Sequence, residues 1–354
     1  MRKTAELPQL LETIQQFTGK PLQVKEEALK QAYDKAAANR SGIAIKILVV
    51  IGGILSTIAF IGFLLVAGLY ESEQGLLVTG VLFLAGALIT QAVVDHLFLD
   101  TLAVTFYLSG VTLFAFGLGF SARSEDTVCI ALIVVGLISM VIAQSYMLAF
   151  CAALLILGGS YAIILIHSDG GLMSVYNTVL ILAFTAFVLL EAQIINIHPK
   201  VCKIYNPIRI AMLCTLLVTL YMGNERWLAR NQQYHWMPAL AAILCTLSLM
   251  PFIWKALNIQ NIAIRVAIFL AAALVLAPTF WAPGIAAAVL IVLISFLVNY
   301  KTGIVLGSVA LIVFVSEYYY HLAINLMTKS LVMMASGVLF LLFYILSRKQ
   351  LSKP

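Results

Sequence analysis

The chain reads as an all-α, polytopic transmembrane helical bundle of about 12 spans, preceded by a short N-terminal cytoplasmic helical hairpin. Three observations predict this. Of its 354 residues 63% are hydrophobic and only 10% charged, with a mean hydropathy of +1.05; a soluble domain carries roughly a quarter charged residues. The apolar residues form continuous runs long enough to cross a hydrocarbon core, which takes about 20 residues. The runs do not alternate, so helices are selected over a closed barrel, the other structure that satisfies its own backbone in lipid.

The first 41 residues differ from the rest. Leu7, Leu10, Leu11, Ile14 and Phe17 recur at helical spacing and make one apolar stripe. Gly19-Lys20-Pro21 breaks that helix. A second helix is expected over 24–40, with Val24, Ala28, Leu29 and Tyr33 on one face. Residues 1–41 are therefore read as a cytoplasmic amphipathic segment and 42–354 as the transmembrane bundle. The hairpin can lie on the membrane, dock a partner or pack on the bundle. The first apolar run starts near Gly42 and is too long for a signal peptide, so none is expected.

The expected spans cover 43–69, 75–94, 101–120, 127–143, 146–166, 172–195, 207–223, 237–254, 262–279, 282–299, 303–321 and 329–347. Gln144-Ser145-Tyr146 separates the fourth from the fifth. Pro278-Thr279-Phe280-Trp281-Ala282-Pro283 makes a tight hairpin between the ninth and tenth. Most connections are short, so neighbours in sequence should be antiparallel neighbours in space. Gly303 and Gly307 form a GxxxG spacing, which serves either packing inside the bundle or dimerisation.

With the N-terminus in the cytoplasm, 17 of the 21 Lys and Arg residues fall inside and 4 outside, the latter being Arg123, Arg226, Arg230 and Lys329. That bias sets both termini in the cytoplasm. The formal charge of +6 and a pI near 9.0 are thus a topology signal, and no nucleic-acid partner is expected. The partner that composition demands is the lipid bilayer. Cys129, Cys151, Cys202, Cys214 and Cys245 form no CxxC pair and are read as small apolar residues.

No Asp, Glu, Lys, Arg or His falls at the middle of an expected span. An ionisable group there would be a functional site by default. Its absence argues against an ion-coupled carrier and leaves open a carrier of neutral or lipidic substrates.

Ionisable and aromatic side chains crowd together at one expected membrane edge. Glu317 and His321 are four apart on one helical face, with Tyr318, Tyr319 and Tyr320 around it, and Lys329 opens the next span. Three uses are open: an interfacial anchor with Glu317 paired to Lys329, a head-group site, or an acid–base pair. On the inner side, Glu191 lies near Gln193, Asn196, His198, Lys200, Lys203 and Arg209, which points to charge pairing at a loop. Asp100-Thr101 is read as a helix N-cap, and Asp95-His96 lacks a third metal ligand. The outer loop 224–236 is rich in Trp, Arg, Asn and Gln. Phosphate loops, nucleophile elbows, HExxH and dinucleotide fingerprints are absent from the sequence. No metal and no cofactor is expected, and enzyme chemistry has no motif behind it.

Two regions carry a resemblance. Asp95-His96-Leu97-Phe98-Leu99-Asp100-Thr101-Leu102-Ala103 leads into Tyr107-Leu108-Ser109-Gly110. Tyr318-Tyr319-Tyr320-His321-Leu322 is followed by Lys329-Ser330-Leu331 and Gly337. Both regions resemble an uncharacterised bacterial membrane family, a domain of unknown function. Its members often neighbour a small envelope protein named for a GDYXXLXY motif. The resemblance implies an integral protein of the bacterial inner membrane and supplies no activity or catalytic residue. Three functions follow as expectations: a non-enzymatic scaffold or partner of an envelope complex, a transporter or flippase for a weakly charged or lipidic substrate, or an envelope enzyme using Glu317 and His321.

Overall fold

The computed structural model of the chain describes residues 43–66, 72–93, 97–121, 124–143, 145–167, 170–196, 199–224, 236–256 and 261–321, with positions 68, 234, 327, 330 and 334. The expected hairpin over 1–41, nearly all of the last expected span, Asp95-His96 and most of loop 224–236 lie outside the described residues. Every regular element among the described residues is a helix.

The first five helices are α1 (Ile43–Val66), α2 (Glu73–Val93), α3 (Leu97–Ser121), α4 (Glu125–Ile142) and α5 (Tyr146–Ile166). Then come α6 (Gly170–Leu189), the single turn α7 (Glu191–Ile195), α8 (Pro199–Asn224), α9 (Trp236–Ser248) and α10 (Met250–Ala256). After α11 (Ile262–Leu276) a 3-10 turn (Ala277–Trp281) leads into α12 (Pro283–Leu297) and α13 (Lys301–His321). Among the described residues, eight helical segments are long and apolar enough to cross a membrane, and three shorter ones are apolar. The chain is a multi-pass bundle, and its exposed faces carry Leu, Ile, Val and Phe, as lipid contact requires.

Local signals explain several boundaries. Ser145 separates α4 from α5 because its hydroxyl accepts from the Leu148 amide at 3.3 Å, an N-cap. Pro283 opens α12 at a position where its missing N–H costs nothing. Gly68, at φ 75°, follows α1 in the left-handed conformation that glycine adopts freely.

Other boundaries differ from the sequence expectation. The span expected over 237–254 is split at Leu249 into α9 and α10, with Pro251 unable to donate to the carbonyl four residues back. The span expected over 172–195 is split at Leu190. Helix α8 begins at Pro199, and Pro207 lies inside it. The carbonyl that Pro207 leaves without a helical donor belongs to Lys203, an exposed residue that water can reach. Helix α3 begins at Leu97, so Asp100 sits in its first turn rather than capping it.

Packing divides the bundle. The main core joins α6, α8, α9, α12 and α13 through side chains such as Phe184, Leu213, Leu216, Ala242, Ile291 and Phe314. Helices α2 and α3 form a close hairpin, with α1 laid on α3; α4 and α5 form another, and α5 carries it onto α8. Three glycines set the α2–α3 approach. A Cβ on Gly80 would stand 2.6 Å from the Phe114 amide nitrogen, and one on Gly110 2.8 Å from that of Leu84. A Cβ on Gly117 would stand 2.8 Å from the Leu77 amide nitrogen. The GxxxG residues also pack internally: a Cβ on Gly307 would be 2.9 Å from Ile291 and Val292 of α12.

Candidate functional site

Among the described residues the densest polar assembly forms around Arg209, where four elements meet. Helix α8 contributes Tyr205, Asn206 and Arg209, spaced so that all three share one face. Glu191 comes from α7, Phe187 from the last turn of α6, and Tyr300 from the turn between α12 and α13. Glu191 follows the end of α6, and Tyr300 precedes α13, so Arg209 lies level with helix ends. Helix α8 continues from Arg209 back to Pro199, roughly 15 Å past that level at 1.5 Å per residue.

The turn that delivers Tyr300 is encoded locally. Asn299 is the one non-glycine residue with positive φ among the described residues, at 54°. The Tyr300 amide donates to the Ser295 carbonyl at 2.7 Å, and the Asn299 amide to the Phe296 carbonyl at 3.2 Å. This is a Schellman cap with asparagine at the left-handed position. It throws the Tyr300 ring over α8.

The Arg209 guanidinium lies 3.7 Å from the centroid of the Tyr300 ring and 5.2 Å from that of Tyr205. Tyr205 in turn stacks on Phe187 at 4.6 Å, and its hydroxyl donates to the Phe187 carbonyl at 3.0 Å. Arg209 Nη1 donates to Glu191 Oε2 at 3.2 Å, and Nη2 to Asn206 Oδ1 at 3.0 Å. Its side chain is 9% exposed, against 31% for Glu191. The charge pairing expected on this loop is therefore present, between Glu191 and Arg209. Burial pushes the Tyr300 phenol above its ordinary range, and the neighbouring guanidinium pulls the other way. Chemically, the arrangement clamps a cation between an aromatic face and a carboxylate. The sequence named both charges but not Tyr205 or Tyr300; the only local signal was a tyrosine after an Asn-ended apolar run.

The cluster at the end of α13 is divided by helix geometry. Glu317 shares a face with Ala310 and Phe314, both buried, and its Oε2 is out of contact with solvent. Tyr318 and Tyr320 point outward, Tyr320 being 77% exposed. The Tyr319 and Tyr320 rings meet edge-to-face at 5.8 Å. His321 ends the helix, and Lys329 lies outside the described residues, as does the side chain of His321. Glu317 thus stands at the border between the buried side of α13, with Phe314, and the exposed side that carries Tyr320, each three residues away.

A third polar feature joins α4 to the end of α5, where His167 Nε2 lies 3.6 Å from Asp126 Oδ2. Among the described residues no three His, Cys, Asp or Glu side chains are grouped to hold a metal ion.

Fold and polar placement together define a multi-pass helical membrane protein whose charges gather at helix ends. The chain belongs to the family described as Domain of unknown function (DUF4401), whose model matches residues 43–349. No curated protein and no solved structure matches it.

Proposed function

We propose that the protein is a non-enzymatic scaffold or partner subunit of an envelope complex in the bacterial inner membrane. In this reading it has about twelve spans, both termini in the cytoplasm, and a GDYXXLXY-type protein as partner. One observation carries the reading. Six Ser and Thr hydroxyls inside the spans bond to their own helices, and Ser109 donates to Thr57 of a neighbouring one. Thr90 donates to Gly86, Thr112 to Leu108, Ser139 to Val135, Thr178 to Ser174, Thr185 to Ile181 and Thr246 to Ala242, each to a carbonyl four residues back at 2.7–2.8 Å. A polar path through a carrier needs groups free to exchange partners with a substrate. Hydroxyls committed to their own backbone favour a static bundle instead.

The excess of Lys and Arg on alternate loops supports the orientation. The test is mild extraction from native membranes after cross-linking, followed by identification of stoichiometric partners. Recovery of a defined envelope protein at constant ratio supports the reading. Lone protein that moves a substrate or scrambles lipid in reconstituted vesicles overturns it in favour of the transporter or flippase.

A further inference from the structure

The hairpins α2–α3 and α4–α5 meet along a seam that is filled at one end only. There Gln91 of α2 donates to the Ser145 hydroxyl, and Leu84, Ala87, Tyr107 and Leu148 pack together. Toward the end of α4 that carries Asp126, the seam opens into a cleft of about 360 Å³. Its walls include Tyr107 and Val111 of α3, Cys129 and Leu132 of α4, and Cys151 and Gly158 of α5. Apart from the phenol, these surfaces are hydrocarbon and thiol. Adjacent glycines shape it. A Cβ on Gly159 would stand 2.9 Å from Ile133, so Gly159 lets α5 close on α4, whereas a Cβ on Gly158 would meet nothing within 4 Å. Along α5 the cleft runs from Cys151 to Ala162, roughly 16 Å at 1.5 Å per residue.

We infer that this cleft binds one hydrocarbon chain of a membrane amphiphile, with the polar end at the Asp126–His167 rim. Water entering the cleft would find almost no hydrogen-bond partners. Left empty, the cleft forfeits dispersion contacts along its whole length. The medium around the spans is hydrocarbon, so a lipid chain is the occupant that the bilayer supplies. Asp126 precedes Cys129 by three residues and therefore stands above the lined face. Its partner His167 and Asp126 itself are both partly exposed, at 55% and 38%, as a head-group contact requires. The site is independent of whether the protein is a scaffold or a carrier.

The test uses the full-length protein in lipid nanodiscs containing a phospholipid with a mid-chain photoreactive diazirine. Adducts should concentrate on the peptides around Val111 and Gly158. Gly158→Phe, which projects a ring into the cleft from a position where a Cβ would meet nothing within 4 Å, should lower those adducts about tenfold. Adducts on the exposed face of α11 at Leu270 and Leu274 should not change. Equal labelling of both surfaces, or no response to Gly158→Phe in folded protein, overturns the site. Wild-type protein gives an independent readout through its native thiols. Returning phospholipid to delipidated protein should slow maleimide modification of Cys151 about tenfold relative to exposed Cys202. Identical rates with and without lipid overturn the site whatever the variant does.

Discussion

The Arg209 guanidinium stacks on the Tyr300 ring at 3.7 Å, which pins α8 to the α12–α13 turn. The same guanidinium reaches Glu191, and the two partners differ in burial, 9% against 31%. Their removal should therefore have unequal effects. Glu191→Ala leaves a buried cation with less compensation and should cost about 2 kcal/mol. Arg209→Met removes the charge and keeps most of the volume, while the partly exposed carboxylate turns to water. That substitution should cost less, about 1 kcal/mol, chiefly from the lost cation–π contact. Thermal unfolding of both variants and the double mutant in one detergent measures the difference. Equal losses would contradict the asymmetry.

The position of Tyr300 depends on the left-handed Asn299. Asn299→Gly should be neutral, because glycine adopts this conformation without strain. Asn299→Val should cost about 2 kcal/mol, since a β-branched residue is least tolerant there. Gly303→Ala should act on the same ring, because a Cβ at 303 would run into Tyr300 and the Ser295 hydroxyl. Unfolding temperatures rank the three variants. If Asn299→Val matches Asn299→Gly, the cap is not what holds the ring.

Helices were legible in the sequence because spanning length is a property of composition along the chain. The Ser145 break was legible because a polar N-cap interrupts an apolar run. The break at Leu190 was not, because it lies within an apolar stretch and is accompanied by the pairing of Glu191 with a residue on another helix. The span expected over 207–223 extends back to Pro199, and the helix tolerates Pro207 inside it where the carbonyl left free lies on an exposed residue. Glu191 and Arg209 were legible as charges near one edge, but the Tyr300 contact needs tertiary geometry that periodicity does not carry. For the same reason Glu317 looked like part of a tyrosine cluster. Helical register sets it midway between buried Phe314 and exposed Tyr320, with its Oε2 out of contact with solvent.

Glycines that look alike in the sequence should respond oppositely to alanine. A Cβ on Gly80 or Gly110 would press on main-chain nitrogen across the α2–α3 contact, where no side chain can yield. Gly80→Ala and Gly110→Ala should each cost about 1–3 kcal/mol by overpacking. Gly62 and Gly119 meet nothing within 4 Å. At those helical sites alanine should be neutral or stabilising by up to about 1 kcal/mol. Denaturation of the four variants checks this, and a uniform response would show that the hairpin is not closed through its glycines.

Membrane orientation can be read with a native reporter. Cys202 is exposed and stands between Lys200 and Lys203 in the first turns of α8. Cys129 and Cys245 are buried, and Cys151 and Cys214 are partly covered within spans. An impermeant maleimide should therefore modify Cys202 first. If the basic loops face the cytoplasm, labelling should occur in inverted membrane vesicles and not in intact cells, and Cys202→Ser should remove it. Labelling of intact cells with protection in inverted vesicles would reverse the assigned orientation. It would also move the Arg209 clamp to the outer face and the Asp126–His167 rim to the inner one.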